Sequence, residues 1–252
     1  YFLLTYLDKI ISFALPLSIL FILKDRELYT FVEVIFSYAA IALIAIELGF
    51  TNYLFFGYKE SEDKEGFIED AQLYFKFLLF VYSIVLIPLI IGLYYYDSNL
   101  LVLFLMVAIR SLFTFYTTFY ANIFRLKDTP SQIYLTTVIV NIASFLLLML
   151  TYFFDWSNKI VYFFLPSVAL ILVMIVRLLF TEIKRFDFKH FIGFATDALK
   201  FSWPIIINLL AMGYMNNYAK IYAYGYLSQQ EMIQVSYIMR IGLVIQLTHS
   251  SF

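Results

Sequence analysis

Seven apolar stretches, each long enough to cross a bilayer and each closed by a short polar break, dominate this sequence. A hydrocarbon core of ~30 Å takes about 20 residues of α-helix at 1.5 Å rise each. Runs of that kind occupy Phe2–Leu23, Leu28–Phe50, Leu73–Tyr96, Leu100–Phe124, Gln132–Phe154, Ile160–Phe180 and Leu199–Tyr226, and an eighth opens near Met232. Composition says the same: 63% of residues are hydrophobic, only 14% are charged, and the mean hydropathy is +0.86. A soluble domain of this size has too little interior to hide that much apolar surface, so lipid must be the solvent for much of it. A transmembrane β-barrel is excluded, because its strands are alternating segments of about ten residues rather than continuous apolar runs. The expected fold is all-α: a polytopic transmembrane helix bundle of about seven complete spans plus a truncated eighth. The chain starts at Tyr1 inside one apolar run and stops at Phe252 inside another, with no cleavable signal peptide, so it reads as a piece of a longer protein.

Lys and Arg in the short connections set the orientation. One alternate set holds Lys59, Lys64, Lys76, Arg125, Lys127, Arg177, Lys184, Arg185 and Lys189; the other holds only Lys24, Arg26 and Lys159. Nine against three places the first set in the cytoplasm and runs the first span from inside to outside, with a cytoplasmic N-terminus. The longest connections, Lys59–Asp70 and Glu182–Thr196, have room for short interfacial helices such as Phe186–Phe191. No connection is long enough for a soluble domain.

Several chemistries are absent. With no Cys there is no disulfide framework, Cys-ligated zinc or thiol nucleophile. No GxSxG, HExxH, P-loop or GxGxxG pattern occurs, and no basic stripe points to nucleic acid. The expectation is a protein that is not an enzyme, with no catalytic residues, no metal and no cofactor.

The polar residues at membrane depth carry the functional signal, because an ionised group there usually faces a bundle interior or aqueous cavity. Arg110 lies ~15 Å into the fourth span and shares a helix face with Thr114 and Thr117. It reads either as a cavity cation for an anionic substrate or as a guanidinium locked to a neighbouring carboxylate or carbonyl. Asn141, with Thr137 and Ser144, makes a second polar stripe, the kind that also joins helices by hydrogen bonds. Asp8 and Lys9 sit in the first span, where Lys9 can snorkel to the interface. Glu33, deep in the second span, is a candidate partner for Arg110 or a proton-coupling group, as Asp8 is for coupling. Asn216 and Lys220 in the seventh span and Arg240 about 12 Å into the eighth complete the set. Arg110, Lys220 and Arg240 outnumber the deep acids, which predicts a net-positive interior.

Leu48-Gly49-Phe50 closing the second span, Leu199-Lys200-Phe201-Ser202-Trp203-Pro204, and Asn216-Asn217-Tyr218-Ala219-Lys220 running on to Tyr237-Ile238-Met239-Arg240 carry a resemblance. The chain resembles the O-antigen flippase-like polysaccharide and oligosaccharide-lipid flippases of the multidrug/oligosaccharidyl-lipid/polysaccharide exporter superfamily. That resemblance implies two six-helix bundles around a central cationic cavity. Residues 1–181 would form the first bundle, 182–198 a cytoplasmic link and 199–252 the start of the second. It also implies alternating-access flipping of an undecaprenyl-diphosphate-linked oligosaccharide across the bacterial inner membrane. Surface polysaccharide or lipopolysaccharide synthesis would be the setting, with polysaccharide assembly proteins as partners. Ala219 stands where the family typically shows an acid. Arg110, Lys220, Arg240 and Lys9 would meet the diphosphate, with Thr114, Thr117, Asn141 and Asn216 lining the cavity. A multidrug or cation antiporter of the same superfamily and a membrane glycan polymerase remain the alternatives.

Overall fold

A computed structural model describes residues 2–127, 131–180 and 188–249, and these fold as helices and short turns. In lipid every backbone N–H and C=O must find a partner within the chain, and helices do this locally. The helices are α1 (Phe2–Phe21), α2 (Arg26–Glu47), α3 (Phe50–Glu60), α4 (Lys64–Tyr96), α5 (Ser98–Leu126), α6 (Ser131–Phe153), α7 (Lys159–Phe180), α8 (Phe188–Tyr226) and α9 (Gln229–His249). Six stretches are long and apolar enough to cross a membrane: Arg26–Glu60, Lys64–Tyr96, Leu100–Leu126, Ile133–Phe153, Lys159–Arg177 and Phe188–Tyr226. They correspond to the expected second to seventh spans, while α1 and α9 stand in the places of the first and eighth. The all-α polytopic bundle is the fold.

Two connections are more helical than their polarity suggests. The stretch from Lys59 to Asp70 shrinks to a turn at Ser61–Asp63, because both flanking helix ends are satisfied locally. Asp63 Oδ1 accepts from Gly66 N at 2.9 Å and caps α4, while Lys64 Nζ donates to the terminal carbonyl of Lys59 at 3.0 Å. At the other connection, α8 begins at Phe188 and runs unbroken through the expected start at Leu199. Residues 181–187, which include the first six residues of the expected link at 182–198 and the start of the Phe186–Phe191 segment, lie outside the described residues.

α2 is the central helix, packed against α1, α4, α5, α8 and α9. It ends where Leu48 and Gly49 both take left-handed backbone, with φ of 48° and 67°, and α3 restarts at Phe50. α8 runs antiparallel alongside it. Ser202 Oγ donates to Gly49 O at 3.1 Å, Gly213 lies against Ile44, and Lys220 reaches Glu33. Small residues at Gly49, Ser202 and Gly213 let the two helices approach closely. One aromatic cluster locks α3, α4 and α5, with Phe75 stacked on Phe119 at 4.2 Å. A second cluster, around Tyr29, Leu148 and Phe164, joins α1, α2, α6 and α7. The outward face of α4 is exposed and apolar, with Phe80, Ile84, Ile87 and Ile91 each more than half exposed. Water does not tolerate so large an apolar face on a monomer, and lipid does.

Candidate functional site

The deep charges converge on α2. Glu33 is fully buried and holds two cations from the far end of the sequence. Lys220 Nζ on α8 donates to Glu33 Oε2 at 2.7 Å, and Arg240 Nε on α9 donates to Glu33 Oε1. Arg240 Nη1 also donates to the Phe13 carbonyl of α1 at 3.1 Å. One carboxylate thus ties together four helices, and the cluster keeps a formal charge of +1. The expectation that Glu33 pairs with Arg110 is corrected by this arrangement.

Arg110, on α5, packs against α2 one turn beyond Glu33. Its guanidinium lies over the Phe36 ring at 4.3 Å and the Phe113 ring at 5.3 Å. Cation–π contact of this kind supports a desolvated charge without neutralising it. Arg110 has no ion pair or side-chain hydrogen bond among the described residues. The fields of Asp8 and Arg240 reach it. Asp8 Oδ1 and Tyr29 Oη are buried without a hydrogen-bond partner among the described residues. Asp8 also faces a polar cavity of about 190 Å³ between α1, α5 and α6, with Thr117, Asn122 and Thr137 on its walls.

The neutral polar residues fare differently. Thr114 Oγ1 donates to Arg110 O at 2.9 Å and Thr117 Oγ1 to Phe113 O at 3.0 Å, so both hydroxyls are turned back onto their own helix. Asn141 Nδ2 donates to Ser12 Oγ at 3.1 Å and joins α6 to α1. Lys9 and Asn216 are exposed on α1 and α8, and neither bonds to Glu33, Lys220 or Arg240 among the described residues. Phe36, Phe113 and Tyr29 surround the charges without having been singled out as site residues. Phe113 was within reach of sequence reasoning, since it lies three residues beyond Arg110 on the same helical face.

No family model, curated protein or solved structure matches this chain. The feature the structure itself offers is this arrangement of charge: one carboxylate shared by two cations, and a third cation over aromatic rings beside them.

Proposed function

We propose that the chain is a multi-pass membrane transporter, a carrier rather than a catalyst, that passes an anionic lipid head group along α2 by alternating access. The lipid-diphosphate-linked oligosaccharide implied by the resemblance is the substrate that fits best, in the bacterial inner membrane. The observation that carries this reading is Arg110, a deep guanidinium held by two aromatic rings and in no salt bridge among the described residues. A diphosphate supplies what the rings do not, a bidentate acceptor for the guanidinium fork. The acyl chain of such a substrate stays in the bilayer, so a closed apolar pocket is unnecessary. Of the two carboxylates considered for coupling, Asp8 is the better placed. Glu33 is committed to two cations, whereas Asp8 keeps an unpartnered oxygen at a polar cavity.

Binding of undecaprenyl diphosphate to the purified protein in nanodiscs tests the reading. Arg110→Gln removes a charge-assisted contact of roughly 1.5–3 kcal/mol. Affinity should therefore fall on the order of 10- to 150-fold. Arg110→Lys should recover part of it, because the charge survives and the fork does not. Unchanged binding by a folded Arg110→Gln protein refutes the proposal.

A further inference from the structure

The end of the bundle that is poor in Lys and Arg carries a cleft of about 760 Å³ where the first turns of α2, α5 and α7 meet the last turns of α8. A second hollow of about 320 Å³ shares Glu27, Thr30 and Tyr224 with it and extends to Gln229. Each falls in the size range of small-molecule sites.

The charges on the cleft wall are mostly engaged. Asp25 accepts from Leu28 N at 2.9 Å and from the Tyr152 hydroxyl, and pairs with Lys159 at 3.8 Å. Lys159 lies over the Tyr152 ring at 3.8 Å. Asp97 accepts from Leu100 N at the start of α5. What remains is largely neutral: the side chains of Ser157, Asn158 and Gln229 make no hydrogen bond among the described residues, and Glu27 is exposed where the two hollows join.

The turn that offers these groups is held in an uncommon conformation. Asp155 and Asn158 take left-handed backbone, with φ of 51° and 59°. Between them Trp156 is 40% exposed, its ring braced by Phe154 at 5.7 Å and Tyr162 at 5.1 Å. Tyr224 is 46% exposed on the facing helix. Flat aromatic faces beside amide, hydroxyl and carboxylate groups suit a ligand whose rings are apolar on their faces and hydroxylated at their edges.

We infer that this cleft binds a short, uncharged stretch of glycan, stacked on Trp156 and Tyr224 with its hydroxyls on Asn158, Ser157 and Glu27. The inference stands on the cleft's own lining and draws nothing from Arg110.

The chain has two tryptophans, so Trp203→Phe leaves Trp156 as the sole indole reporter. That protein, purified whole in detergent, is titrated with malto-, cello-, manno- and chitotetraose. At least one tetraose should change the Trp156 emission saturably. Tyr224→Ala and Asn158→Ala should each raise the midpoint about five- to tenfold, the size of a lost stacking or polar contact. Tyr224→Phe keeps the ring and should keep most of the response, which guards against a merely misfolded alanine variant. Arg110→Gln should leave the titration unchanged, so a failure here is separable from a failure of the anion-carrier reading. Absence of a saturable response to all four sugars, with helicity intact, overturns the inference. So does a sugar response that survives both alanine changes, or saturation by choline chloride, which would mark a cation site.

Discussion

Glu33 answers to two positive charges at once, and its removal leaves both of them buried. Deleting one member of a buried ion cluster costs about 3–5 kcal/mol, because the survivors are stranded rather than merely unpaired. Glu33→Gln should therefore lower stability by that order in denaturant unfolding in detergent. Adding Lys220→Met to it should restore part of the loss, since one stranded cation goes with it. A Glu33→Gln protein as stable as the parent would show that the cluster does not hold the helices. At this scale the sequence revealed depth but not pairing. Arg110 and Glu33 stood out as charges within apolar runs. What could not be read was that Glu33 would turn to Lys220 and Arg240, 187 and 207 residues away, and leave Arg110 to Phe36 and Phe113. That choice depends on the register between α2 and α8, which no local spacing encodes.

The register itself comes from close packing at Gly49 and Ser202. A Cβ at Gly49 would lie 2.9 Å from the Ser202 Cβ and 3.3 Å from the Ser202 carbonyl oxygen, on backbone at φ +67°. Gly49→Ala should destabilise the protein by about 1–3 kcal/mol, from overpacking and from left-handed backbone together. Gly92→Ala is the matched control: it meets nothing within 4 Å inside α4 and should be neutral or slightly stabilising. Equal melting temperatures for the two variants would contradict the α2–α8 contact. Apolar run length located the spans well, from the second at Arg26 to the seventh ending at Tyr226. It misjudged their edges at Lys64 and Phe188, because hydropathy stops at the membrane surface while helical hydrogen bonding continues past it. The caps on α3 and α4 show how: Asp63 and Lys64 are polar, and they extend helix rather than end it.

For the whole molecule, the strongest sequence signal still awaiting a direct test is orientation. The bias of nine Lys and Arg against three predicts that the Ser61–Asp63 turn is cytoplasmic and the turn at Asp155–Asn158 external. Because the chain has no Cys, single reporters are clean. Glu62→Cys should resist an impermeant maleimide in intact cells and react after lysis, and Ser157→Cys should react at once. The opposite pattern would invert the molecule and put the Trp156 cleft inside the cell. The shared carboxylate has a further consequence, in the order in which the protein is made. Glu33 enters the membrane long before its partners exist. Chains grow at about 5–20 residues per second, so roughly 10 to 40 s separate the making of α2 from that of Lys220 and Arg240. During that interval a carboxyl with no counterion must wait at the membrane boundary, take up a proton, or be sheltered by the insertion machinery. α8 and α9 thus complete the placement of α2, which reaches its final setting only when synthesis has passed Arg240.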